Sequence, residues 1–415
     1  MTSALLPSAR DLLKHRDYRF FWASRWMGSV GTQIQSVAMG WQVYELSRQA
    51  HLSVNAASFN VSLIGLITFA PLFFLALPAG VAADHYDRKR LMMACYVGEL
   101  IAAAILTAAE LLHFASVSLL LSVALIFGTS RSFYSPALTA LGPMLVPREL
   151  LPRAIAWNSL AGQFASIFGP AIAGALIAAS TSAAFAVPFG LYAAALISIT
   201  NLRGVTRPAS QGASRLAMMR EGLAYVWTNK VVFGAISLDL AAVILAGAMA
   251  LLPAYARDVL KVGPQGFGDF RSAIAVGSAS MALFLSVRPV RRHAGLKMFV
   301  CVEIFCALNV VFGLSRVFWV SLVTLALMGA ADQMSVFVRA TLVQLRSPDE
   351  MRGRVGAVST LFISASNELG EFRGGLVARF FGPAAAVVWG GVAGLVVTGL
   401  WARLFPALRT ADRLE

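Results

Sequence analysis

Residues 55–90 read NAASFNVSLIGLITFAPLFFLALPAGVAADHYDRKR. From Asn55 to Ala83 there is no charged side chain, and then Asp84, Asp87, Arg88, Lys89 and Arg90 arrive within a single short loop. A helix rising about 1.5 Å per residue needs about 20 residues to cross a hydrocarbon core about 30 Å thick. The run therefore predicts a membrane span delivered into a basic loop.

Working outward, the pattern repeats along the whole chain. Of its 415 residues 58% are hydrophobic and only 13% charged, where a soluble domain carries about 25% charged residues. The mean hydropathy is +0.72. Apolar stretches long enough to span lie near residues 19–46, 55–83, 89–112, 116–140, 154–180, 183–203, 232–257, 268–288, 297–314, 317–340, 355–379 and 383–405. The expected fold is an all-α polytopic membrane protein with twelve transmembrane helices. The polar, basic start, with Arg10, Lys14, Arg16 and Arg19, lacks the pattern of a cleavable signal, so the first run is expected to stay as a span.

The net charge of +14 raises nucleic acid as a partner. Nucleic-acid binders gather Lys and Arg on one face, whereas here they fall in alternate short loops. About 24 of the 34 Lys and Arg lie in the segments that an even number of spans would place on one side. The opposite loops hold Arg48, Arg257, Lys261, Arg316 and Arg379. This bias predicts both termini in the cytoplasm and no nucleic-acid partner. Cys95, Cys301 and Cys306 sit inside apolar runs without ligand spacing, which predicts free thiols.

The long inner segment near 204–230 divides the chain into six-helix bundles at 1–203 and 231–415. Within it Leu216, Met219, Leu223, Val226 and Trp227 recur at helical spacing, which predicts an amphipathic helix at the membrane surface or a plain tether. The halves also repeat. A shift of about 201 carries Pro147 onto Pro348, Glu149 onto Glu350, Arg153 onto Arg354 and Gly128 onto Gly329. A shift near 204 carries Arg88 onto Arg292 and Glu99 onto Glu303. Two repeated bundles predict a solute site between them, near the midplane.

The loop Gly80–Arg90 resembles the G-x-x-x-D-x-x-x-R-[KR] signature of the major facilitator superfamily, with Asp84 as the acid and Arg88 as its basic partner. Asp87 stands where the family usually has a small residue. The resemblance implies a cytoplasmic gate made by Gly80, Asp84, Arg88 and Arg90 that packs against the eleventh helix. Gly169-Pro170-Ala-Ile-Ala-Gly174 is similar to the G-P-x-x-G-G element of family exporters, with Ala173 in place of one glycine; its helix-packing residues would be Gly169, Pro170 and Gly174. Gly31-Thr-Gln33-Ile-Gln35, Leu252–Leu260, Thr341–Val355 and Ser366–Phe372 extend the likeness to the bacterial branch that holds the enterobactin exporter and related efflux proteins.

Helices one, four, seven and ten line the cavity in that superfamily, and here they carry Arg25, Arg131, Asp239 and Asp332. A lipid-centred charge costs roughly 2.5–3.5 kcal/mol, so these should face the interior, pair, or reach an interface. Asp239 and Asp332 are candidate proton carriers and Arg131 a counter-charge or anion ligand; a fixed ion pair that only holds helices together competes with this. Glu368 and Glu371 stand one turn apart on the eleventh span, which suits either proton storage or packing against a cation. Glu99 and Glu303 fall on peripheral helices, and Arg339 is expected to snorkel from an inner helix end.

The expected function is that of a secondary transporter, proton-coupled and exporting a small molecule such as a siderophore, drug or metabolite, acting as a monomer in the bacterial inner membrane. No cofactor or metal is expected, since no H-E-x-x-H or P-loop pattern occurs. An importer of the same fold, a solute sensor and a membrane-embedded enzyme are the alternatives.

Overall fold

A computed structural model describes residues 12, 14–203, 215–288, 290 and 292–410. Arg10 and residues 204–214 of the linker lie outside them, as does the side chain of Leu216. Among the described residues there is no strand.

Helix α1 (Arg16–Gln49) is followed by α2 (Val54–Phe74), α3 (Ala76–His85), α4 (Arg88–Leu111), α5 (Val117–Leu141), α6 (Leu151–Ala179) and α7 (Thr181–Thr200). After the linker come α8 (Arg215–Thr228), α9 (Lys230–Ala246), a π-helical turn (Tyr255–Val259), α10 (Gly263–Val287), α11 (Ala294–Leu314), α12 (Phe318–Arg346), α13 (Arg352–Phe381) and α14 (Pro383–Leu404).

Among the described residues ten segments are long and apolar enough to cross a membrane. Helices α1 and α13, at 34 and 30 residues, have the length but carry more charge. Phe74, Leu283, Trp319 and Phe380 are exposed, an outward-facing apolar surface that suits lipid. The fold is the expected all-α polytopic one.

Local chemistry sets the ends. The second span breaks at Leu75 into α2 and α3, because Pro78 has no N–H to offer the carbonyl of Phe74. Asp87 caps α4 by accepting from the backbone N–H groups of Lys89 at 2.8 Å and Arg90 at 3.3 Å. Asn229 caps α9 in the same way, accepting from Val231 and Val232.

Packing divides the chain into two units, and the division departs from chain order. One unit holds 1–38 and 70–212; the other holds 39–69 and 213–415. In the first, α4 packs on α5 and α7 around a core that includes Tyr18, Phe21, Met92, Tyr96 and Tyr192. In the second, residues 39–69, from the end of α1 and most of α2, join the later helices: Trp41 stacks on Phe267 at 6.0 Å and Phe59 meets Phe372 at 6.2 Å. There α10 and α12 are in backbone contact, since a Cβ at Gly277 would strike the carbonyl of Ala326 and one at Gly329 that of Ile274.

The linker carries helix α8. Val226 is buried with Val232, Val355 and Val358, a Cβ at Gly222 would come within 2.8 Å of the Arg354 carbonyl oxygen, and Glu221 pairs with Arg354. Helix α8 is thus docked on α13.

Candidate functional site

The second unit concentrates charge between α9, α11 and α12. Asp239 on α9 forms an ion pair with Arg339 on α12. The Arg339 side chain is 2% exposed and that of Asp239 10%. Arg339 therefore does not snorkel to an interface as its sequence position suggests. Helix α12 runs on to Arg346, so this arginine lies two turns inside the helix end. Asp332 stands seven residues before it, and Asp239, Asp332 and Ser335 share a pocket with Cys301, Val302 and Phe305. Among the described residues no hydrogen bond or ion pair engages Asp332. The ion pair thus compensates Asp239 and, among the described residues, leaves Asp332 without one.

Glu368 on α13 accepts from the Thr68 hydroxyl at 3.3 Å, and a Cβ at Gly65 would lie 3.4 Å from both the Glu368 carboxylate and the Glu371 Cβ. Both acids therefore face α2. Arg373 donates to the carbonyl of Leu245 on α9 at 2.5 Å, one of the carbonyls left open where α9 ends.

Arg25 and Arg131 belong to the first unit. Arg131 is exposed, with its guanidinium 5.8 Å from the Phe127 ring centre. Arg25 is half-buried and lies 4.0 Å from where a Cβ of Gly162 would be. The six residues expected to form one site are distributed as two arginines in one unit and four acids in the other.

In the loop after α3, Arg88 donates to the carbonyls of Ala83 and Ala140 at 3.4 Å and contacts the Met144 sulfur at 2.6 Å. Lys89 donates to the carbonyls of Thr200 and Leu202, each at 2.8 Å, where a cation suits the C-terminal end of α7. Gly80 is buried and Arg90 exposed. The capping role falls to Asp87, the departure from the signature. On α6, Gly169, Pro170 and Gly174 are all buried; a Cβ at Gly169 would come within 2.6 Å of the Gln33 Cβ, so this element brings α6 against α1.

Sequence reasoning missed a cluster at the C-terminal end of α1 and the π-helical turn. Asp258 accepts from the Tyr44 hydroxyl at 2.5 Å and from Arg48 at 3.2 Å, while Arg257 pairs with Glu45 at 3.1 Å. Opposite charges at the matching ends of the first and seventh spans were the available signal.

The profile of the family described as transmembrane secretion effector, within the major facilitator superfamily, matches residues 7–414. The chain belongs to this family. It is therefore a major facilitator transporter and a multi-pass membrane protein. It is 28% identical over 406 residues to an enterobactin exporter of Citrobacter koseri, covering 94% of this chain and 92% of that one. A multidrug efflux pump of Mycobacterium bovis is 27% identical over 404 residues, with 93% and 92% covered. Among solved structures, a D-xylose–proton symporter matches with a TM-score of 0.72 at 13% identity, covering 97% of this chain and 99% of that one. A bacterial homologue of the lysosomal transporter Spinster matches with a TM-score of 0.69 at 13% identity, with 95% and 96% covered. At such identities these two structures speak for the major facilitator fold alone.

Proposed function

We propose that the chain is a proton-coupled exporter of a small amphipathic molecule (siderophore-like, drug or metabolite). It works by alternating access as a monomer in the bacterial inner membrane, with both termini in the cytoplasm. The observation that carries this reading is Asp332. Arg339 already compensates Asp239, so Asp332 needs a proton or another cation whenever its pocket is closed from water. An acid that must be neutral when enclosed and can ionise when wet is what coupling to a proton gradient requires. Export is supported by the two relatives, whose names are those of an exporter and an efflux pump. The inner position of the termini is supported by the bias of Lys and Arg.

The test uses inverted membrane vesicles energised by respiration, with a fluorescent amine reporting the internal acid load. Ethidium and enterobactin are the two probes. Wild-type vesicles should lose part of their pH gradient when a transported probe is added; Asp332→Asn vesicles should take up no probe against its gradient and lose no acid. Equal proton release by Asp332→Asn and wild type would remove Asp332 from the mechanism. Probe uptake unaffected by collapsing the gradient would remove proton coupling itself.

A further inference from the structure

The first unit holds a buried acid that plays no part in the Asp332 mechanism. Glu99 on α4 is 2% exposed, although its helix number suggests a peripheral place. It shares a helix face with Cys95, Tyr96, Ala102, Ala103 and Leu106, all buried, and that face meets α5 and α7. Contact is close beside it, because a Cβ at the neighbouring Gly98 would collide with the Ser130 hydroxyl. The Glu99 Oε2 atom is buried with no hydrogen-bond partner, and among the described residues no cation lies within ion-pair distance of the carboxyl.

The groups around it are specific. On its own helix are the Cys95 thiol and Tyr96. Arg131 and Tyr134 on α5 and Tyr192 on α7 are near enough to act on it electrostatically. The Tyr96 hydroxyl donates to the Ser24 carbonyl on α1 at 2.9 Å and lies 3.2 Å from the Tyr134 hydroxyl, and Arg25 on α1 acts on Tyr134. Arg131 is the charge whose field reaches Glu99, yet its guanidinium rests over Phe127.

We propose that Glu99 is a second proton-binding site, built into the first unit, with Arg131 as the cation that compensates the carboxylate once the proton has left. An ionised carboxylate buried among apolar groups without a partner is far costlier than the neutral acid. The enclosed state is accordingly the protonated one. On release the Glu99 O–H bond breaks, the proton passes to water as hydronium, and the negative charge left on the carboxylate draws the exposed Arg131 toward it. Arg131 is thereby a positioning residue for the charge. This inference rests on the proton-coupled reading for its place in transport, but occupancy of the site by a proton does not depend on that reading.

Infrared difference spectroscopy of the full chain in lipid bilayers tests it, through the C=O stretch of a protonated carboxylic acid. The wild type should show this absorption at neutral pH and lose it in alkali. Glu99→Gln should remove the Glu99 component, and Asp332→Asn should leave that component in place. In Arg131→Gln proton loss should move to higher pH, since the compensating cation is gone. Should Glu99→Gln fail to fold, isotope-labelled glutamate in the wild type shifts the same band, and dicyclohexylcarbodiimide labelling followed by peptide mapping locates the protonated acid. An unaltered band in Glu99→Gln, or no label-shifted band in the wild type, overturns the proposal. So does a Glu99 band that never bleaches in alkali, or one indifferent to Arg131. If the Glu99 band behaves as stated while probe flux ignores the pH gradient, the proton-coupled reading fails and the site stands.

Discussion

Replacing Arg339 by Met isolates the energetics of the buried charges. The substitution keeps much of the side-chain length and removes the cation from beside Asp239, at a position where the two side chains are 2% and 10% exposed. Removing one partner of a buried pair leaves an uncompensated charge and costs about 3–5 kcal/mol. At about 1.4 kcal/mol per tenfold, that shifts the folded population roughly a hundredfold to several-thousandfold. Asp239→Asn alone should also destabilise, because it strands the guanidinium; Asp332 lies seven residues away on α12, about 10 Å of helical rise, and cannot take the vacated place without rearrangement. The double variant Arg339→Met with Asp239→Leu should recover most of the loss, since a well-packed apolar pair replaces a buried ion pair at little or no cost. The assay is the temperature at which detergent-solubilised protein loses its monodisperse elution peak, read for wild type, both single variants and the double as a thermodynamic cycle. Arg339→Met as stable as the wild type, or a double variant no better than the worse single, would show that the pair is not energetically coupled and that Asp332 is not left alone by it.

Other substitutions probe features that differ in depth and kind. Asp87→Ala removes the cap of α4 and should cost about 0.5–2 kcal/mol, whereas Asp87→Asn, which keeps the acceptor, should be nearly neutral in the same melting assay. Glu45→Gln breaks the pair with Arg257 at side chains that are 23% and 30% exposed, so it should cost only about 0.2–1 kcal/mol, and less in high salt. Gly277→Ala places a methyl group against the Ala326 carbonyl while Gly190→Ala meets nothing within 4 Å; the first should abolish the monodisperse peak and the second leave it unchanged.

The spans were legible because lipid imposes one rule on every residue of a crossing helix, and a continuous apolar run such as 55–83 shows it directly. Depth within the bundle was not, since it depends on which face a residue occupies and where a helix stops. Arg339 looked terminal only because the apolar run ends near 340; the helix continues to Arg346. Glu99 looked peripheral from the number of its helix, yet its spacing from Tyr96, Ala102, Ala103 and Leu106 would have placed it on the packed face. The cap at Asp87 was hidden by the signature, which directs attention to Asp84. The cluster of Tyr44, Glu45, Arg48, Arg257 and Asp258 was hidden because counting basic residues by loop ignores the acids beside them.

The internal repeat shows how far such reading reaches. It aligns Glu99 with Glu303 and Arg131 with Asp332, so it predicts matching chemistry in the two halves with the sign of one charge reversed. The environments do not follow the alignment. Glu99 is buried and Glu303 exposed, because α11 turns Cys301, Val302 and Phe305 toward the pocket with Asp239 and Glu303 away from it. Among the described residues neither Glu99 on α4 nor Asp332 on α12 has an ion-pair partner, while Arg131 is exposed in the first unit and Arg339 is held by Asp239 in the second. A duplicated backbone preserves where helices pack, since glycine contacts and apolar faces must match along their whole length. A buried charge needs only one compensating group, which any adjoining helix can supply. Ionisable residues can therefore drift between the equivalent places of a repeat while the fold stays fixed, and the chemistry of each half has to be read from its own side chains.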